Sequence, residues 1–197
     1  MESFEGLLIS SPKNFEENAA FETERVFIEE LNLEEDQFVV QPIKSFSGLV
    51  MAEFKDETGL ESIEQFRNLI RLATKESFFY NYILKLVPLQ YKMPTEEDVL
   101  VDFGNFIEKK LDPESTWRLI LRRRNSDLER KTMIEAATKE INVGEVDLEK
   151  PQYYVRLEIL GAKMFGSLTK IPEFSSVKYE RDKEAYLERI LMNLDLL

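Results

Sequence analysis

The chain has 197 residues, of which 43% are hydrophobic and 32% are charged, and its net charge is −12. A chain of this length and composition is typical of a soluble protein with one full domain or two small ones. The absence of cysteine and histidine excludes disulfides, Ser-His-Asp hydrolysis and nearly every catalytic zinc or iron site.

The first 92 residues alternate between strand and helix patterns. Runs of apolar and β-branched residues predict strands, and apolar residues at helical spacing predict helices. Asn14 is placed to cap the first helix. The order β-α-β-β-α-β is the ferredoxin-like arrangement, so this part of the chain is predicted to form a ferredoxin-like domain. Its strands are expected at residues 4–10, 38–43, 49–54 and 80–93, and its helices at residues 15–31 and 62–73.

A second set of elements fills the rest of the chain. Thr95 with Asp98, and Ser126 with Glu129, predict capping boxes at the starts of two helices. An amphipathic helix is predicted at residues 179–194. The fold class is therefore α+β, in an α/β sandwich-like arrangement. The remaining helices are expected at residues 96–110 and 128–141, and the strands at residues 116–122, 153–160 and 163–168, the last two as a hairpin.

The most concentrated positive charge of this acidic chain lies in residues 116–131, TWRLILRRRNSDLERK. Alternation along the predicted strand puts Trp117, Leu119 and Leu121 on its core face, and the arginines gather at its carboxyl end. That end is where open α/β sheets bind ligands, and a helix start adds unpaired N–H groups and a positive dipole end. The stretch therefore predicts a phosphate-binding site. Its cations are Arg122, Arg123, Arg124, Arg130 and Lys131, and Lys163 beside the hairpin turn is expected to add to them.

A structural role is the alternative for these cations. Asp127 and Glu129 can pair with them locally, and basic runs mark nucleic-acid sites only weakly. The acidic residues 96–98 are a weaker candidate, for a metal site, because acids are typical of a helix N-terminus. No P-loop, GxGxxG or EF-hand pattern occurs, so no metal or cofactor site is predicted.

Residues 115–168 resemble a THUMP domain. The resemblance begins with a strand that starts at Trp117 and ends in arginines. A helix follows this strand after a short polar turn. The ferredoxin-like unit that precedes them resembles the domain that accompanies THUMP in tRNA-modifying enzymes. The more specific features are the element Val146-Asp147-Leu148 with Pro151, followed by a hairpin that carries Glu158, Ile159, Leu160 and Gly161.

This resemblance implies a division of the chain into three parts. Residues 1–92 correspond to the N-terminal ferredoxin-like domain, residues 93–172 to THUMP, and residues 173–197 to a C-terminal helical extension. In the family, the first two bind the acceptor stem and 3′-CCA end of tRNA, and a further domain carries the chemistry. The extension is too short for such a domain, and the missing histidine and cysteine agree with a non-catalytic protein.

The expected function is therefore that of a non-catalytic tRNA-binding adaptor for a tRNA-modifying enzyme, such as a cytidine acetyltransferase. No cofactor, DNA or membrane partner is expected, and the expected location is the cytoplasm, because no long apolar segment or signal peptide is present. The alternative is a protein-interaction module that docks a partner enzyme through the acidic N-terminal domain and the C-terminal helix, with little RNA affinity. Residues 1–92 have a net charge of −8, whereas residues 116–170 have a net charge of +3.

Overall fold

The structure of the chain is a computed structural model that describes residues 1–75 and 79–194. It confirms the α+β fold class. The strands are Glu2–Ser10 (β1), Phe38–Pro42 (β2), Leu49–Phe54 (β3), Lys85–Pro94 (β4), Thr116–Arg124 (β5), Glu145–Val146 (β6), Tyr153–Leu160 (β7), Lys163–Thr169 (β8) and Phe174–Ser175 (β9). The α-helices are Glu16–Glu29 (α1), Ser62–Ala73 (α2), Glu97–Glu108 (α3), Arg130–Thr138 (α4), Ser176–Arg181 (α5) and Lys183–Leu194 (α6).

The chain divides into two compact units. The N-terminal unit contains residues 4–89 together with the chain from Glu173 onward, and the central unit contains residues 1–3 and 90–172. The segment that the sequence sets apart as an extension is thus grouped with the first part of the chain. The assignment of three functional parts stays a prediction.

The N-terminal unit has the β-α-β-β-α-β order that the sequence predicts. Its strands lie in the order β2-β3-β1-β4, with β3 antiparallel to both neighbours and β9 antiparallel to β4. Phe27 of α1 packs against Phe38 and Phe54, with ring centroids 5.0 and 5.4 Å away, and Phe66 of α2 is fully buried. The apolar spacing that predicts the helices therefore builds the core of this unit.

Two helix predictions in this unit are wrong. Asn14 does not cap α1, because its φ of 66° places it in a turn. Phe15 takes the position before the helix and makes no side-chain capping bond. The helix predicted at residues 179–194 is two helices, α5 and α6, because the backbone of Asp182 leaves the helical region with φ −150° and ψ 76°.

The strand predicted from residue 80 begins only at Lys85, because a carboxylate of α1 binds the chain before it. Glu22 is 5% exposed, and its two oxygens accept hydrogen bonds from three consecutive backbone N–H groups. Those groups are therefore not available to a strand ladder. The three donors are Asn81, Tyr82 and Ile83, at 2.7, 2.8 and 3.0 Å.

The sheet of the central unit has the strand order β4-β8-β7-β5-β6. β8 is antiparallel to β4 and β7, whereas β5 runs parallel to β7 and β6. α3 and α4 pack closely, since a Cβ on Gly104 would lie 2.7 Å from the carbonyl oxygen of Ala137. Trp117 and Leu121 of β5 belong to the core, as strand alternation predicts. The core also includes Met93, Leu100, Phe103, Ile107, Met133, Val155, Leu157, Ile159 and Met164.

The two predicted capping boxes do not form. α3 begins after Glu96 and α4 begins after Glu129, and neither residue makes a side-chain capping bond. The hydroxyl of Thr95 is buried and has no hydrogen-bond partner within the described residues. No helix in the described part of the chain has the length and apolar character that crossing a bilayer requires.

Candidate phosphate-binding site

The carboxyl end of β5 leads into α4 through a turn at residues 125–129. β5 reaches Arg124, two residues beyond its predicted end, because its pairing with β7 continues until Arg124 lies opposite Leu160. Asn125 then adopts a φ of 50°, which turns the chain. α4 begins at Arg130 rather than at residue 128. The predicted strand-to-helix junction is present, with cations on both sides of the turn.

Arg122 and Lys163 are exposed, and neither side chain makes a hydrogen bond or ion pair in the described part of the chain. The strand register places Lys163 near the arginines. Leu160 of β7 pairs with Arg124 of β5 on one side and with Lys163 of β8 on the other. Two strand spacings separate Arg124 from Lys163, which is about 10 Å between their Cα atoms. By alternation, Arg122, Arg124 and Lys163 share the face of the sheet opposite the core.

Arg123 lies on the other face and braces the turn. Its Nη1 donates to the carbonyl oxygen of Leu128 at 2.7 Å. This bond fixes the chain around Ser126 as a turn, which explains why Ser126 does not act as the predicted capping residue. A guanidinium group has five N–H donors, so donors remain that can bind an anion.

Arg130 and Lys131 occupy the first turn of α4, as predicted. Nη1 of Arg130 donates to the carbonyl oxygen of Leu121 at 2.8 Å, whereas Lys131 is 84% exposed and lies 3.7 Å from Glu135. The first helical hydrogen bond joins the Met133 N–H to the carbonyl oxygen of residue 129. The amides before it have no partner within the helix, and no acidic residue lies in this turn.

Arg124 belongs to a buried ion-pair cluster. Its Nη1 lies 2.7 Å from Oε2 of Glu158, whose side chain is 1% exposed. The other carboxylate oxygen accepts hydrogen bonds from Nε and Nη2 of Arg156 at 2.9 and 2.6 Å. The sequence prediction did not include Arg156. The sequence does contain a signal for this residue. Arg156 and Glu158 are opposite charges two residues apart on an apolar strand, so their side chains lie on one face.

The arrangement suits the binding of anions. Arginine matches the oxygens of a phosphate with two parallel N–H donors, and lysine contributes a point charge. Within the described residues, no group of three or more acidic side chains is placed to hold a metal ion. The use of these cations as a binding site stays a prediction.

Asp147 stabilises the loop that carries part of the THUMP resemblance. Its carboxylate accepts hydrogen bonds from the N–H groups of Lys150 at 3.0 Å and Glu149 at 2.8 Å. These bonds hold the pKa of Asp147 below its ordinary value. The conformation of the Val-Asp-Leu element is therefore explained by local hydrogen bonding.

No protein-family model and no curated protein matches the chain. Solved structures do match it. One is PH1313 from Pyrococcus horikoshii Ot3, with a TM-score of 0.61 and 12% identity over 87% of this chain and 55% of that one. Another is a 4-thiouridine synthetase solved as an RNA complex with bound ATP, with a TM-score of 0.53 and 9% identity over 87% of this chain and 42% of that one.

The chain spans about half the length of these solved structures. At such low identity the similarity concerns the fold alone. It supports the α+β fold that the sequence predicts.

Proposed function

We propose that the chain binds tRNA through the cations at the end of β5 and the start of α4, and that it acts as a non-catalytic cytoplasmic adaptor for a tRNA-modifying enzyme. The observation that carries the proposal is the position of Arg122 at the carboxyl end of a parallel strand. It is exposed, and its side chain makes no hydrogen bond or ion pair among the described residues. In a chain of net charge −12, such an arginine is available for an external anion.

The distribution of the cations suits a nucleic-acid backbone better than a single small anion. Arg122 and Lys163 lie on one face of the sheet end, and Arg123 and Arg130 lie on the side of the helices. Contacts of this kind hold phosphates and position the RNA without reading its sequence. Selectivity for tRNA would then come from helix shape and from the single-stranded 3′ end.

Two further observations support the RNA-binding part. One structure of the same fold is a 4-thiouridine synthetase in complex with RNA, and the sequence resembles the tRNA-gripping region of such enzymes. The absence of histidine and cysteine from the chain supports the non-catalytic part, and the resemblance to THUMP proteins supports the adaptor part.

Fluorescence polarisation with labelled tRNA tests the proposal. We expect saturable binding of full-length tRNA and weaker binding of the same tRNA without its 3′-CCA. Arg25→Ala is the matched control for site variants such as Arg122→Ala, because Arg25 is an exposed arginine of the N-terminal unit that pairs with Glu29. Equal affinity for both RNAs would contradict recognition of the 3′ end, and no binding at low salt would contradict the function.

A second candidate function is protein docking through the acidic N-terminal unit. It is favoured by Phe21, which is 68% exposed on α1, and by Ile28, which lies two helical turns further on and is 37% exposed. A pull-down of a modifying enzyme, done with and without RNase, distinguishes the two candidate functions. A complex that survives RNase, with no binding of tRNA, would favour docking.

A further inference from the structure

The outer face of the central sheet is the face turned away from α3 and α4 and from the core that they cover. Strand register places four residues each of β5, β7 and β8 on it. Of these twelve residues only Glu158 is acidic, and its buried carboxylate has an arginine bound to each oxygen. In a chain of net charge −12, a surface without an exposed acid suits a polyanion. The twelve residues are Arg118, Ile120, Arg122, Arg124, Tyr154, Arg156, Glu158, Leu160, Lys163, Phe165, Ser167 and Thr169.

The part of the outer face that lies along β5 is accessible. Arg118 and Ile120 are partly exposed, and Arg122 is exposed. Further from this strand the face is buried, since Arg156 of β7 and Ser167 of β8 are 2% and 1% exposed. A ligand on the outer face must therefore follow β5. Along that path, the Cα atoms of Arg118 and Arg122 lie about 13 Å apart.

Tyr154 is the aromatic residue beside this path. It lies opposite Arg118 in the ladder of β5 and β7, and it is partly exposed. Among the described residues, its ring has no aromatic or cationic partner and its hydroxyl group makes no hydrogen bond. The aromatic surface of Tyr154 is therefore available to a ligand.

The side chain of Arg118 is held away from this ring. Its Nη1 donates to the carbonyl oxygen of Leu148 at 2.7 Å. Leu148 follows β6, which lies on the side of β5 away from β7. The remaining N–H donors of Arg118 can still bind a phosphate oxygen. Ile120, the next outer-face residue of β5, adds apolar surface diagonal to Tyr154.

We propose that Tyr154 stacks on a base of single-stranded RNA whose phosphates lie along β5 at Arg118 and Arg122. Aromatic side chains beside a positively charged path bind single strands, because every base has a π-face and the cations follow the backbone. A duplex cannot bind in this way, because its bases are stacked on each other. This inference rests on the proposed function and deepens it, since it names the residue that distinguishes a single strand from a duplex.

Combined changes of the protein and the RNA test the stacking. The probes are fluorescein-labelled hexaadenylate and an abasic hexamer with the same sugar-phosphate backbone, and fluorescence polarisation measures their affinities. The wild type should bind hexaadenylate about tenfold more tightly, the contribution of one stacked base. Tyr154→Leu should lose this preference, and Tyr154→Phe, which keeps the ring, should retain it. Tyr82→Leu is the matched control, because Tyr82 is a partly exposed tyrosine of the N-terminal unit, and it should bind both probes as the wild type does.

The dependence on salt separates stacking from phosphate contact. Tyr154→Leu should leave the slope of log affinity against log salt unchanged, because it removes no charge. Arg118→Ala should reduce that slope by about 0.7, the value for one phosphate contact of a single strand. A preference for hexaadenylate that survives in Tyr154→Leu, or equal binding of both probes by the wild type, would overturn the stacking and leave tRNA binding intact. No saturable binding of full-length tRNA by the wild type would overturn the proposed function and this inference with it.

Discussion

The guanidinium group of Arg124 lies 2.7 Å from the carboxylate of Glu158, a side chain that is almost completely buried. The same carboxylate is held from its other side by Arg156, which is also buried. Three consecutive arginines therefore have different roles. Arg124 stabilises the sheet, Arg123 braces the turn before α4, and Arg122 remains available to an external anion.

The first prediction concerns stability. Arg124→Ala should lower the free energy of unfolding by about 1–2 kcal/mol, because it leaves a buried carboxylate with one partner, discounted for the partial exposure of Arg124. Arg122→Ala should change it by no more than about 0.5 kcal/mol. Urea denaturation of both variants measures the difference. Equal losses would show that the ion pair with Glu158 adds no stability.

The second prediction concerns the buried pair. Arg156→Met should cost about 3–5 kcal/mol, because it removes the buried cation that pairs with Glu158. Adding Glu158→Leu to Arg156→Met should recover most of that loss, because apolar residues of similar volume can replace a buried ion pair. Chemical denaturation of the two single variants and the double variant gives the coupling. A double variant less stable than Arg156→Met would contradict this account.

The third prediction concerns tRNA binding and its dependence on salt. Arg122→Ala and Lys163→Ala should each weaken binding and reduce the slope of log affinity against log salt by about 0.7–0.9 for each lost phosphate contact. Both side chains are exposed without partners among the described residues, so folding should be unaffected. Binding isotherms from low to moderate salt measure the slopes. Arg25→Ala should leave the slope unchanged, and unchanged slopes for all three variants would contradict the site.

Periodicity predicts much of this fold because it reports burial directly. α2 has the bounds that its apolar spacing predicts, and the hairpin of β7 and β8 is found as expected. The capping box at Ser126 does not form, because the side chain of Arg123 bonds the main chain of the turn. β6 and β9 are two residues long, and such strands are defined by their partners rather than by their own sequence.

The positions of the candidate cations could be predicted, whereas their partners could not. Local sequence places arginines at the end of a strand. Whether one is free depends on the neighbouring strand, and β7 supplies Glu158 to Arg124 but no partner to Arg122. Arg156 was missed because a charged residue on an apolar strand can face solvent or a buried partner, and only the sheet register decides between them.

The fourth prediction concerns Glu22, which binds the chain before β4. Glu22→Gln should lower stability by about 1–3 kcal/mol, because an amide has one accepting oxygen and cannot satisfy all the N–H groups that the carboxylate satisfies. Hydrogen exchange of the Tyr82 and Ile83 amides should accelerate. Glu24→Gln on the same helix is the control and should have little effect. Unchanged exchange in Glu22→Gln would show that the chain there is held by other contacts.

The fifth prediction concerns pH. Burial raises the pKa of Glu5 above its ordinary value of 4.5, although the Ser62 N–H donates to its carboxylate at 2.6 Å and opposes the shift. Because the folded state holds this proton more strongly than the unfolded state, stability decreases as pH rises from 4.5 through the folded pKa. Glu5→Gln retains an acceptor for the Ser62 N–H and removes the charge. It should therefore be more stable than the wild type at pH 7, and the difference should disappear below pH 4.5.

Glu16 provides a control of opposite sign for this prediction. The N–H of Gly48 donates to its carboxylate and lowers its pKa. A lowered pKa stabilises the folded state above the unfolded pKa, and this contribution disappears as pH falls through the folded pKa. Glu16→Gln should therefore be less stable than the wild type at pH 7, with a difference that closes on acidification. Urea denaturation at pH 4 and pH 7 measures both variants, and differences of the same sign at pH 7 would contradict the assignment of burial to Glu5 and hydrogen bonding to Glu16.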